Sequence, residues 1–325
     1  METGIFTISL DHELHWGVSA TRTVESYRNN LDNERAAING MLDLFRNYEI
    51  HATWAVVGML FCHDRNELLE WCLRVDKPNY VNKKLSNFEL AKKIGFNEKE
   101  DPYHFGPSII DSIVAVPFQE IATHTFSHYF CIEEGQTIKN FESDLQAALA
   151  IGKRYNFFKN SIVFPRNQYR QEHLKASFEA GISCYRGSQS SRMYHFQSVE
   201  TKKRKALRML DCYISISGDN TYKLSRHIGD KIYNIPATRF FRPFDPRLGA
   251  FEKFRLARIT NEMTYAAKTK RLYHLWWHPH NFGANLDKNL DNLELVLKHY
   301  KKLNQKYDFA SRNMMEICTM YKEKS

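Results

Sequence analysis

The chain repeats one local pattern along its length. A short run of apolar and β-branched residues is followed by apolar residues at helical spacing, and then by another such run. Ile5-Phe-Thr-Ile-Ser-Leu10 reads as a buried strand over residues 4–10 that ends at Asp11. Ile38, Met41, Leu42 and Phe45 then lie at helical spacing, with Asp32 or Asn33 placed to cap them. Ala52-Thr-Trp-Ala-Val-Val57 is a second strand, closed by Gly58. A helix between two strands is the crossover that joins parallel neighbours, so this order constrains the chain to a parallel α/β sheet.

The rhythm continues. Phe118 to Thr123 reads as strand, and Phe141, Leu145, Ala148 and Leu149 as an amphipathic helix. Ser161-Ile-Val-Phe164 is strand, Leu174 to Ala180 helix, and Gly181 its stop. Ile182 to Arg186, Lys231 to Ile235 and Arg271 to Trp277 read as further strands, and Leu290, Leu293, Leu297 and Tyr300 line one more helix. Two connections break the pattern. Residues 62–117 hold their own helical pieces, notably Glu67 to Leu73 and Ile109 to Val114; residues 187–230 carry Lys202-Lys-Arg-Lys205 and few clear elements. Long connections of this kind are often lids or binding loops. Neither a repeat nor a linker divides the chain, so 1–325 is expected to be a single domain with insertions at about 62–117 and 187–230.

A hydrophobic content of 43% of all residues, with aromatics at 14% of all residues, is ample for a large core. The net charge of +9 and pI near 9.1 suit either a solvated basic surface or attraction to anionic partners. Nucleic-acid binding would rest on charge alone and is not expected. Cys62, Cys72, Cys131, Cys184, Cys212 and Cys318 are scattered without a C-x-x-C, as expected of thiols in a reducing compartment. The N-terminus lacks the basic and apolar regions of a secretory leader, and no apolar run approaches a membrane span. The expectation is a cytoplasmic protein with at most peripheral membrane contact.

Four segments carry candidate chemistry: Ser9-Leu-Asp11-His-Glu13, His124-Thr-Phe-Ser-His128, Phe164-Pro-Arg166-Asn-Gln-Tyr169 and Leu275-Trp-Trp-His278-Pro-His-Asn281. Each starts at or just beyond the C-terminal end of an expected strand, where parallel α/β folds build their sites. If the chain turns helical at His124, residues four apart share a face and both imidazoles can meet one ion. Asp11 and Glu13 fall on one side of an extended chain, so one can bind metal while the other takes a proton from water. His12 is a rival ligand. Arg166 can orient a carboxylate or bind an anion through its planar fork. His278, with an imidazole that titrates near neutrality, suits a general acid; His274 and His280 read as structural. Each motif alone also has a plain structural reading: helix caps for the acids, a surface arginine, core histidines.

Taken together, the four segments resemble the polysaccharide deacetylase family, the NodB-homology or carbohydrate esterase family 4 group. Ser9-Leu-Asp11-His-Glu13 is similar to its first motif, His124 to His128 matches H-[ST]-x-x-H, Arg166-Asn-Gln-Tyr169 partly meets the R-x-P-Y loop, and Leu275-Trp-Trp-His278-Pro resembles its last motif. The strand from Ala52 to Gly58 also resembles the family's second strand, and the likeness runs from residue 4 to about 318. Asp-His-Glu stands where the commonest pattern has two adjacent aspartates, which resembles the D-x-E variant branch, and the loop after Arg166 lacks the family's proline.

The resemblance implies a distorted, incomplete (β/α) barrel. It also implies metal-dependent removal of an N-acetyl group from an amino sugar, in cell-surface polysaccharide biosynthesis. The implied ligands of a divalent metal, zinc first, are Glu13, His124 and His128, with Asp11 as base, Arg166 holding Asp11, His278 as acid and the Tyr169 backbone N–H at the oxyanion. The implied substrate is an acetamido sugar, nucleotide- or lipid-linked. The alternatives are a related amidohydrolase acting on a small cyclic amide or formyl group, or an inactive saccharide-binding protein.

Overall fold

The computed structural model describes residues 3–155, 158–191, 193–194, 201–223 and 232–322. Its strands are β1 (Ile5–His12), β2 (Ala52–Val56), β3 (Gln119–Thr123), β4 (Phe158–Ile162), β5 (Cys184–Tyr185), β6 (Tyr233–Asn234), β7 (Arg239–Phe240), β8 (Leu272–Trp277) and β9 (Ala310–Ser311). The order across the sheet is β6-β5-β4-β3-β2-β1-β8-β7, with β9 pairing at the start of β1. Every pairing of these strands is parallel. The sheet curls into a half-barrel surrounded by helices, the incomplete (β/α) barrel expected from the sequence. The expected strand from Lys231 to Ile235 shortens to β6, and Lys231 lies outside the described residues.

Alternation along β1 explains both sides of the wall. Phe6, Ile8 and Leu10 join the large core under the helices, while Ile5 belongs to a separate cluster inside the curl with Ala55, Ala122, Val163, Cys184 and Leu272. The main outer helices are α2 (Glu34–Tyr48), α9 (Glu252–Lys268) and α10 (Leu286–Tyr307), whose apolar stripes pack against that large core. Asn33 occupies the N-cap of α2 but makes no capping bond; its amide donates instead to the carbonyls of Asn29 and Gly283. The C-terminal helix α11 (Met314–Lys322) closes the N-terminal end of the curl through Met314, Ile317 and Cys318. Its first turn donates backbone N–H groups to Thr53 and to the buried Glu120, satisfying donors that a helix start leaves open.

The first insertion contributes α3 (Arg65–Leu73), α4 (Asn87–Ala91) and α5 (Pro107–Val114). The basic run, read from sequence as part of an irregular stretch, instead opens α8 (Lys202–Asp211), which the Thr201 hydroxyl caps by accepting from the Arg204 N–H. Helices α6 (Ile138–Lys153) and α7 (Gln171–Glu179) cover β3 to β5, and a short α1 (Val24–Leu31) lies near the loop after β8. Gly181 follows α7 with φ +96°, the left-handed stop expected there. Among the described residues, no helix is long and apolar enough to cross a membrane.

Candidate active site

The C-terminal ends of β1, β3, β4, β7 and β8 converge on one cleft of about 420 Å³. Glu13, one residue beyond β1, sits at its centre. Its Oε1 lies 2.9 Å from His124 Nε2 and 3.2 Å from His128 Nε2, and its Oε2 lies 3.7 Å from His280 Nε2. Gly17 closes over the other side: a Cβ there would stand 1.7 Å from Glu13 Oε2, so only glycine permits this packing.

The two histidines meet without a helix. After His124 the chain is a loop, with Thr125 at φ 65° and His128 at φ 58°, and these turns bring His128 back beside His124. Asp144 of α6 anchors the loop by accepting from the backbone N–H groups of Phe126 and Ser127 and from the Ser127 hydroxyl. The expected helical spacing is therefore replaced by a tethered turn with the same outcome. His12, the rival to Glu13, points to the opposite side of β1, where its Nδ1 pairs with buried Glu34 at 3.3 Å.

Asp11 is held by Arg186, not by Arg166. Arg186, the first residue after β5, donates Nη1 and Nη2 to the two Asp11 oxygens at 2.7 Å each. It also donates to Ser9 Oγ at 2.9 Å and to Asn167 Oδ1, and its guanidinium stacks over Trp276 at 4.3 Å. Behind it, Ser9 Oγ meets His274 Nε2 at 2.8 Å and His274 Nδ1 meets the Ile235 carbonyl at 3.1 Å. The carbonyl can only accept, so Nδ1 carries the hydrogen and Nε2 accepts from Ser9. Burial pushes His274 down to about 3, which keeps it neutral in that role. Arg166 instead pairs with Glu133 at 2.8 Å and stacks on Phe130, at the rim of the cleft. Tyr169 packs its ring against Phe164 and Tyr185, and it is Arg166 and Asn167 of this loop that line the cleft.

His278 follows β8. Its Nε2 lies 3.6 Å from Asp11 Oδ2 and 3.7 Å from Glu13 Oε1. Tyr27 donates to Asn281 Oδ1, which turns the Asn281 amide nitrogen toward His278 Nδ1 at 3.3 Å. Nδ1 therefore accepts, and the neutral ring carries its hydrogen on Nε2, facing the carboxylates. The side chain is 24% exposed where Glu13 is 5%, so His278 is the member of this group that solvent or substrate reaches. Burial lowers its pKa, against the pull of Glu13 and Asp11. Burial works to raise Asp11, but Arg186, His124 and His278 outweigh it and hold the carboxyl below its usual value. Glu13 is held well below by its imidazoles in the same way.

The donor set fits a divalent cation. His124 Nδ1 lies 2.8 Å from the Val163 carbonyl, so it carries the hydrogen and Nε2 turns a lone pair toward the Glu13 carboxylate. Two lone pairs at 2.9 Å require a cation between them, a proton or a metal. One ligand atom each from Glu13, His124 and His128 lies within 4.8 Å of the others, and the three are buried. Two imidazoles and one carboxylate are a recurrent set for catalytic zinc. His280 Nε2 is also buried with no hydrogen-bond partner among the described residues, while Tyr27 meets its Nδ1 at 2.9 Å.

The fold is that of the polysaccharide deacetylases, of NodB type. A Mycobacterium smegmatis protein described as a polysaccharide deacetylase superposes with TM-score 0.62 at 12% identity, covering 99% of this chain and 92% of that one. The PuuE allantoinase gives TM-score 0.57 at 11% identity, with 98% and 90% covered. A Pseudomonas aeruginosa protein also described as a polysaccharide deacetylase gives 0.56 at 11%, with 98% and 91% covered. No protein-family model matches the chain, and no curated protein matches it.

Proposed function

We propose that this protein is a metal-dependent amide hydrolase that removes the acetyl group from an acetamido sugar, in the cytoplasm, during cell-surface polysaccharide biosynthesis. The observation that carries the reading is the buried Glu13–His124–His128 cluster beside an arginine-clamped Asp11, at the strand ends of a deacetylase fold. A divalent ion held by Glu13, His124 and His128, zinc first, would supply Lewis acidity to the acetyl carbonyl and acidity to a water.

The protein's own residues do the rest. Asp11, ionised and fixed by Arg186, accepts the proton of the attacking water. His278 Nε2, which carries the neutral ring's hydrogen, is 3.6 Å from Asp11, so both groups can reach one departing nitrogen. Asp11 then returns the water's proton to the departing nitrogen, while the His278 Nε2–H donates a hydrogen bond to it, so the amine leaves neutral and both side chains end as they began. Asn281 keeps that ring in the required orientation. A backbone N–H from the Arg166–Tyr169 loop is the proposed additional donor to the oxyanion. The likeness to an allantoinase, close to that of the deacetylase-described structures, favours as a second reading an amidohydrolase acting on a small cyclic amide.

Two measurements test this. Metal analysis should find about one divalent ion per chain, lost in the His124→Ala, His128→Ala double variant; full occupancy in that variant removes the ligand assignment. Acetate release should be seen from at least one of a panel of free, nucleotide-linked and lipid-linked acetamido sugars. Asp11→Asn should abolish it while keeping the metal. Turnover of cyclic amides alone would favour the second reading.

A further inference from the structure

A second cavity of about 880 Å³ adjoins the active-site cleft, and the two share Arg166, Asn167, Phe240 and Trp276 as a common wall. This second cavity is strongly basic. Glu133, the one acid among its described lining residues, is already paired with Arg166. Arg239 is likewise neutralised, by Glu262 and Asp211 in a buried network. Arg170, Lys205 and Arg242 are further cations on the lining, and Arg204 and Arg208 of α8 add to its basic face. Among the described residues no carboxylate forms an ion pair with Arg170, Lys205 or Arg242.

The placement of α8 produces this concentration. Arg204, Lys205, Arg208, Met209 and Cys212 recur at helical spacing and turn one face into the cavity, while Leu207 and Leu210 are exposed. An amphipathic helix set with its cations inward and leucines outward crowds like charges round one space. A bound polyanion relieves that repulsion. One carboxylate needs a single guanidinium fork, whereas this many cations match a group with several negative charges. The Phe240 and Trp276 rings, 4.8 Å apart at the junction, offer an apolar wall for a sugar ring between the two spaces.

We infer that this cavity is the subsite for a phosphate or diphosphate attached to the sugar whose amide enters the Glu13–His124–His128 centre. The inference rests on the deacetylase reading for the identity of the sugar, but the anion subsite itself does not. Nucleotide-linked and lipid-linked sugars share the diphosphate chemistry.

Calorimetric binding to the full chain tests it, using inorganic pyrophosphate, UDP-N-acetylglucosamine, a polyprenyl-diphosphate N-acetylglucosamine in micelles, and free N-acetylglucosamine. Pyrophosphate should bind, weaken steeply with added salt, and weaken about tenfold in the Lys205→Gln, Arg242→Gln double variant. Circular dichroism and Tm check the fold of that variant, with Arg170→Gln used instead if it does not fold. Both diphosphate sugars, or one of them, should bind more tightly than the free sugar, and the tighter of the two identifies the source. Absence of pyrophosphate binding, or equal affinity in wild type and variant, overturns the subsite. Acetate release from free and diphosphate sugars with the same KM overturns it too, while leaving the deacetylase reading standing. Salt-sensitive pyrophosphate binding with no acetate release from any sugar removes the deacetylase reading and keeps the subsite.

Discussion

Asp11 and Arg186 form a buried, two-pronged ion pair, so removing the arginine strands a carboxylate with little access to water. Loss of one partner from such a pair costs about 3–5 kcal/mol. Arg186→Gln should therefore lower stability by about that amount in urea unfolding. It should also reduce kcat for acetate release far more than it changes KM, because Asp11 is left misoriented. Arg166→Gln breaks only a half-exposed pair with Glu133 and should cost about 1 kcal/mol or less. Equal losses in the two variants would refute the assignment of Arg186 to Asp11. Asp11, Glu13, His124, His128 and His278 are legible as candidates in the sequence because each lies at or just beyond the end of a strand and belongs to a recognisable motif. Arg186 also directly follows a strand, but β5 is two residues long and no motif marks it. The arginine of the Arg166 loop was the more visible candidate, and the turn at Arg166 and Asn167 (φ 56° and 52°) points it elsewhere.

At the scale of elements, the site depends on how α6 holds the loop after β3. Asp144 satisfies two buried N–H groups and a hydroxyl between His124 and His128. Burial is the largest influence on Asp144, and it raises the pKa to about 6 despite those bonds. The sign follows from linkage. Between the unfolded value of 3.8 and about 6 the native state binds more protons, so stability falls as pH rises through that window. The shift corresponds to about 3 kcal/mol of destabilisation at neutral pH. Asp144→Asn keeps an acceptor for the backbone N–H groups and removes the titration. It should match or exceed wild type at pH 7 and show no loss from this group across the window, as read by urea unfolding at several pH values. Asp144→Ala leaves the donors unsatisfied and should cost about 2–4 kcal/mol and weaken metal binding. A wild-type profile that runs parallel to Asp144→Asn would show that Asp144 is not the titrating group. The His-x-x-x-His spacing was visible in the sequence, but spacing alone is equally compatible with a helix; the left-handed turns at Thr125 and His128 depend on a contact with α6 that local periodicity does not encode.

For the whole molecule, the proposed metal centre would be a tie across the sheet. Glu13 extends β1 and His124 extends β3, while β2 lies between them, so one ion held by both would bridge strands that do not pair directly. An ion that binds the folded chain and not the unfolded one stabilises it by mass action, about 2.7 kcal/mol at a hundredfold excess over Kd. For a chain of this length that is an upward Tm shift of several degrees. Stripping the protein with a chelator should lower Tm, and adding zinc should restore it. Glu13→Gln should lose most of this response. His12→Asn should lower Tm in both states, because Glu34 loses its buried partner, yet retain the full zinc-dependent shift. The β1 alternation makes this comparison decisive: adjacent residues face opposite sides of one strand, so a single register step separates the proposed ligand in the cleft from a core histidine. Loss of the shift in His12→Asn with its retention in Glu13→Gln would reverse the assignment of the third ligand.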